Sequence, residues 1–175
     1  MPTLSTLDID LADARRAYLR AWRHDDLEDL VAHADPTARF PYPYGGGDGR
    51  GWLDAAVRDP NGRWALELDG RVIGGVSLEI VGDGVSELGY WLGHDHWQRG
   101  IMTRVIARFA PEAMRAFHLH RLLATVYADN PASMRVLEKA GFAREGSRKS
   151  AIIENGEPLE LAVYALTAES LKFDR

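Results

Sequence analysis

The sequence predicts an α+β domain built on a sheet of mixed strand direction, and three observations carry that prediction. Strand-like and helix-like patterns follow one another as strand, two helices, three strands, helix, strand, helix, two strands. Two pairs, Asp69-Gly70 and Asn155-Gly156, stand between strand-like runs as the residues that favour a tight hairpin turn. A glycine-containing loop at residues 98–103 joins a strand directly to a helix.

Residues 17–22 read as the first strand. Asp25 or Asp26 then caps a helix carrying Leu27, Leu30 and Val31 at helical spacing. A loop rich in proline and glycine occupies residues 41–50, and a short helix around residues 52–57 leads to a hairpin of residues 64–68 and 72–80. Gly74 and Gly75 inside its second strand predict a bulge. Residues 87–92 alternate Leu88, Tyr90 and Leu92 against Glu87, Gly89 and Trp91, the period of a strand with two distinct faces.

From Ile101 onward Val105, Ile106, Phe109, Met114 and Phe117 recur at helical spacing. Pro111 lies inside that run, where it removes a backbone donor and crowds the preceding turn, so a kink or restart is predicted near Ala110. Residues 122–127 form the next strand. Asn130 as N-cap, Pro131 at the first helical position and Gly141 just past the end then define both ends of the last helix. Residues 146–153 and 159–166 close the chain as a hairpin.

With 175 residues, 46% hydrophobic and 27% charged, the chain can bury one sizeable core, so residues 1–175 are read as a single domain without internal repeats. No apolar run approaches the ~20 residues of a spanning helix, and the first residues lack the basic-then-apolar pattern of a secretory signal. A cytoplasmic location away from membranes is the expectation. Cysteine is absent, which excludes disulfides, thiolate metal sites and a cysteine nucleophile. The formal net charge of −5 argues against direct nucleic-acid binding and suits a cationic substrate. His94, Asp95 and His96, and His118 with His120, supply no complete ligand set, so no metal is expected.

The loop at residues 98–103 meets the needs of an anion site: Gly100 permits close backbone approach, and the helix start directs unpaired amides and positive dipole at a phosphate. An ordinary strand-to-helix turn would use the same residues. Its neighbours give it context. Glu87-Leu-Gly-Tyr-Trp-Leu-Gly93 precedes it, and Asp129-Asn-Pro-Ala-Ser-Met-Arg-Val-Leu-Glu-Lys-Ala-Gly-Phe142 follows at the spacing of one helix and one strand.

Together these segments resemble the GNAT superfamily, in particular its branch similar to the ribosomal-protein N-terminal acetyltransferases, with Trp-x-x-Gly-x-Met-Thr followed by Asn-x-x-Ser and Lys-Ala-Gly-Phe. Arg20 and Trp22 resemble that family's first strand, and Tyr164 with Leu166 its last. The resemblance implies a mostly antiparallel twisted sheet with helices on both faces and two parallel strands, residues 87–92 and 122–127, splayed apart at a coenzyme A site. Backbone groups of Trp91 and Leu92 would bind the pantetheine arm. Amides of Arg99, Gly100, Ile101, Met102 and Thr103 would hold the pyrophosphate, with Asn130 and Ser133 facing the thioester. Arg135 and Lys139 either lie near the phosphates or are solvated helix charges. Trp97 and Met102 depart from the broad superfamily pattern but are familiar in this branch, and Leu137 stands where many members place a tyrosine acid.

Acetyl transfer from acetyl-CoA needs a neutral amine, a polarised carbonyl and a proton for the departing thiolate. Glu87 is the candidate base, a strand amide around Leu92 the oxyanion donor and Ser133 the acid. Glu87 could equally be a solvated carboxylate or an arginine partner, and Ser133 could simply stabilise the first turn of its helix. Tyr42 and Tyr44, beside Gly45 to Gly47, either shape an acceptor pocket or belong to a flexible surface connection. The expected acceptor is a primary amine, either a protein N-terminus or a small molecule. The alternative function is a catalytically inactive acyl-CoA-binding module. A homodimer is compatible with the sequence, which carries no interface signature.

Overall fold

The structure, a computed structural model, describes residues 4–34, 48–154 and 156–171. Eight strands form one sheet in the order β1-β2-β3-β4-β5-β6-β8-β7. They are β1 (Leu7–Asp10), β2 (Arg16–Ala21), β3 (Arg63–Leu68), β4 (Arg71–Gly82), β5 (Val85–Leu92), β6 (Arg121–Tyr127), β7 (Ala143–Glu154) and β8 (Glu157–Thr167). Among the described residues only β5 and β6 pair in parallel. The helices are α1 (Leu27–His33), α2 (Gly49–Arg58), α3 (Ile101–Ala116) and α4 (Pro131–Lys139). Among the described residues no helix is long and apolar enough to cross a membrane.

Alternation along the strands sends side chains to two cores. Trp64, Leu66 and Ile73 join Val105, Ile106 and Phe109 of α3 and Leu137 of α4. Ala65 and Val72, one residue out of step, join Leu30 of α1 and Leu53 and Ala56 of α2 on the other face. The sheet is thus covered on both sides, the arrangement of helices that the family resemblance implies.

Asp69 and Gly70 both have positive φ, 53° and 79°, as a type I′ turn requires. The bulge in β4 falls one residue before the two glycines: Leu66 pairs with Gly74 and Glu67 with Val72, which leaves Ile73 as the extra residue. The glycines themselves admit β5. A Cβ on Gly74 would stand 2.6 Å from the Trp91 carbonyl oxygen, and one on Gly75 2.8 Å from Trp91 Nε1.

Four expectations need correction. Strand β1, with Leu7 and Ile9 inward and Asp8 and Asp10 outward, precedes the predicted first strand. Asp26 occupies the N-cap of α1 but makes no side-chain cap bond; its carboxylate is taken by Arg20 and the Arg23 amide. Helix α3 runs through Pro111 as one element, so of the two outcomes expected near Ala110, a kink or a restart, the restart does not occur. Packing holds it, since Val105, Ile106, Phe109, Ala110 and Ala113 are fully buried. Helix α2 starts at Gly49, earlier than predicted, because Asp48 caps it by accepting from the Arg50 amide.

Helix α4 ends as its sequence predicts. Asn130 Oδ1 accepts from the Ser133 amide at 3.0 Å. At the other end Gly141 has φ 94°, its amide bonds the Glu138 carbonyl and that of Phe142 bonds the Leu137 carbonyl, a Schellman motif. Asn155 of the closing hairpin lies outside the described residues.

Candidate active site

Strands β5 and β6 part company early. They pair only at Val85 with Arg121, Ser86 with Leu122 and Glu87 with Leu123. Beyond that point β5 stays with β4 as far as Leu92, and β6 stays with β8 as far as Tyr127. Each strand is held by its outer neighbour, so the inner edges diverge. A cavity of about 290 Å³ opens there, lined by Tyr90, Thr125, Asn130 and Ser133 and closed by Ile152 to Glu154 of β7. That volume is at the lower end for small-molecule sites.

Strand parity separates the polar groups at this split. Ser86 and Leu88 are buried toward α3 and α4, and Tyr90 follows them in step. Its Oη lies 2.8 Å from Ser133 Oγ and 3.1 Å from the Ser133 carbonyl oxygen. Burial pushes the Tyr90 phenol up to about 12, against the lowering effect of the Ser133 hydrogen bond. Glu87, one residue out of step, points to the opposite face, where its carboxylate accepts a short hydrogen bond from Thr125 Oγ1. Glu87 itself does not line the cavity; Thr125 does.

The chain leaves β5 through Gly93, whose amide bonds the Ile73 carbonyl at 2.8 Å, and a turn at residues 94–96. Trp97 Nε1 reaches back to the Leu92 carbonyl at 2.7 Å and fixes the loop against the end of the strand. Gln98 and Gly100 take positive φ, 59° and 70°. Gly100 is the N-cap of α3 and accepts its first helical bond from the Arg104 amide. The amides of Ile101, Met102 and Thr103 therefore precede the helical ladder. Arg99 and Gly100 are exposed.

Of the residues singled out in sequence, the structure brings Asn130 and Ser133 to the cavity and Glu87 to its far side. Trp91 turns its indole toward Trp22, with near-parallel rings 6.5 Å apart, while Trp22 meets Trp52 edge-on at 5.1 Å. Tyr42 and Tyr44 lie outside the described residues. Tyr90 and Thr125 were not singled out as functional; their polar tips gain meaning only from partners 43 and 38 positions away. Among the described residues no group of three or more His, Asp or Glu side chains could hold a metal ion.

The family described as "Acetyltransferase (GNAT) domain" matches residues 16–143. Among curated proteins, the uncharacterized N-acetyltransferase YoaA of Bacillus subtilis is 36% identical over 81 residues, 46% of each chain. The chain spans about half the length of the curated relatives it matches. Among solved structures, RimJ of Mycobacterium smegmatis in complex with CoA-disulfide superposes with a TM-score of 0.77 at 24% identity, covering 97% of this chain and 90% of that one. RimL, a ribosomal L7/L12 alpha-N-protein acetyltransferase in complex with coenzyme A, gives 0.78 at 18% identity, covering 94% and 99%. At these identities the likeness is one of fold.

Proposed function

Because the chain belongs to the GNAT acetyltransferase family, we propose that it transfers acetyl from acetyl-CoA to a primary amine by direct attack in a ternary complex. The observation that carries this reading is the divergence of β5 and β6 after the Glu87–Leu123 pair, with a polar group on either face of the split.

The residues present fit coenzyme A. Nothing stands within 4 Å of a Cβ built on Gly100, so the loop is open to a bulky anion. The amides of Arg99 to Thr103 would hold the pyrophosphate at the positive end of the α3 dipole. The inner edge of β5 at Trp91 and Leu92 would bind the pantetheine arm, and Asn130 and Ser133 would face the thioester. When bound, acetyl-CoA supplies the activated acyl group.

The chain's own residues then do the rest. Glu87, directly or through water, accepts the proton of the attacking amine, and Thr125 orients its carboxylate. A strand amide near Leu92 stabilises the developing oxyanion. Ser133 donates to the departing sulfur. An α-amino group, with an unperturbed pKa near 8, needs less help from the base than a lysine amine near 10.4. That difference and the net charge of −5 favour peptide N-termini and cationic small amines as acceptors.

The test is thiol release from acetyl-CoA with peptide N-termini, polyamines and aminoglycosides as acceptors. At least one class should stimulate release well above the amine-free rate. Tight CoA binding with no stimulation by any amine would overturn the enzyme reading in favour of an acyl-CoA-binding module.

A further inference from the structure

We propose that Tyr90 is a positioning residue for acetyl transfer: its phenol donates to Ser133 Oγ and so turns the serine's own proton into the cavity, toward the departing sulfur. This rests on the acetyl-transfer reading above.

Three observations place the pair. Ser133 is fixed at the third position of α4, where Asn130 holds its amide at 3.0 Å, so its hydroxyl can move only by rotation about Cα–Cβ and Cβ–Oγ. Tyr90 Oη stands 2.8 Å from that hydroxyl and 3.1 Å from the Ser133 carbonyl. That carbonyl lies inside the helix, where the Leu137 amide is its ladder partner. The phenol's single proton is therefore better spent on Oγ, the nearer acceptor. Both residues line the same 290 Å³ cavity.

A lone aliphatic hydroxyl is a poor acid, because giving up its proton leaves an alkoxide in a half-buried site. A phenol behind it lowers that cost, because a phenolate is less basic than an alkoxide even where burial holds the phenol protonated. Burial holds Tyr90 protonated up to about 12, so the donor is filled before every turnover. In the transfer, the bond between amine nitrogen and acyl carbon forms and the carbon–sulfur bond breaks. Sulfur takes the Ser133 proton as Ser133 draws on Tyr90, and the proton released on the Glu87 side restores Tyr90 through water. One proton moves from nitrogen to sulfur, and nothing is oxidised or reduced.

The test compares wild type, Tyr90→Phe, Ser133→Ala and the double variant in amine-dependent thiol release. Tyr90→Phe should lower kcat about 100-fold while leaving KM for acetyl-CoA within about twofold. The double variant should be no slower than the worse single variant by more than about threefold, since both changes break one relay. Substituting 3,5-difluorotyrosine at position 90 keeps the shape and strengthens the acid, and should bring an alkaline limb of kcat to lower pH. Unchanged kcat in Tyr90→Phe, losses that multiply in the double variant, or, should Tyr90→Phe not fold, a difluorotyrosine profile identical to wild type would each overturn the proposal. A wild type that no amine stimulates would overturn the reaction reading, and this one with it. An active wild type with an unaffected Tyr90→Phe overturns this one alone.

Discussion

Arg20 and Asp26 face each other through two hydrogen bonds of 2.8 Å, each residue less than a tenth exposed. The guanidinium also reaches Glu67 at 2.6 Å and the Ala21 carbonyl at 3.0 Å. Asp26 in turn accepts the Arg23 amide at 2.8 Å. Hydrogen bonding to the Asp26 carboxylate, more than any other contact, pushes the Arg20 pKa up, against the opposing effect of burial. Two ion pairs through one guanidinium thus tie β2 and β3 to the turn that starts α1, the helix whose Asp29 accepts the Val72 amide of β4.

Removing one partner leaves the other charged and buried, which costs more than the pair itself contributes. Asp26→Ala should therefore destabilise the fold by about 3–5 kcal/mol. Urea unfolding at neutral pH measures it. A loss below about 1 kcal/mol would place this pair with ordinary surface bridges and refute the assignment.

Gly74 lies against the backbone at the end of β5. Its Cβ would meet the Trp91 carbonyl oxygen at 2.6 Å and the Leu92 Cα at 3.2 Å, both backbone atoms that cannot turn aside. Gly74→Ala should cost about 1–3 kcal/mol and shift the end of β5. On the functional reading, CoA binding weakens with it, as isothermal titration would show. Gly70→Ala serves as the control, because nothing lies within 4 Å of that position and only its φ of 79° opposes the change. Equal CoA affinity in both variants would contradict the coupling.

Where the sequence could be read, local rules carried the structure. Asp69-Gly70 placed a hairpin because two residues alone decide the turn, and Asn130, Pro131 and Gly141 bounded α4 for the same reason. Strand β1 escaped because four residues alternate only twice before the pattern stops. The restart offered at Pro111 does not occur because the burial of α3 along its length outweighs that local penalty. Asp26 was read as a cap because capping is a local rule, whereas its partnership with Arg20 and, through Arg20, with Glu67 depends on how β2 and β3 pair. The Tyr90–Ser133 contact joins positions 43 apart and leaves no periodic trace; only the tertiary packing that brings the start of α4 to Tyr90 creates it.

Asn130 does two jobs that one variant can separate. Its side chain caps α4 by accepting from Ser133, and it lines the cavity. Asn130→Ala should lower stability by about 0.5–2 kcal/mol, and Asn130→Asp should recover most of that loss because aspartate caps equally well. Thermal unfolding distinguishes the two. If Asn130→Asp is as unstable as Asn130→Ala, the cap is not what Asn130 contributes.

His96 should make the fold sensitive to acid. Its Nδ1 is buried without a hydrogen-bond partner, and its ring lies 5.7 Å from that of His33. Burial first, then the His33 and Arg99 charges, lower its pKa below the usual 6.5, with Asp95 opposing and Arg15 adding to the effect. The unfolded chain therefore binds a proton at a pH where the folded chain does not, so stability rises with pH across that interval. The contribution is whole above 6.5 and is lost as pH falls toward the lowered folded value. His96→Gln cannot take up that proton and should flatten the fall in stability below pH 6.5. Urea midpoints measured across the acid range give the comparison, with His33→Asn as a control for the neighbouring ring. Because residues 94–96 lead into the Trp97 to Gly100 loop, CoA affinity in wild type should weaken over the same interval and do so less in His96→Gln. Parallel stability curves for His96→Gln and wild type would show that the acid sensitivity arises elsewhere.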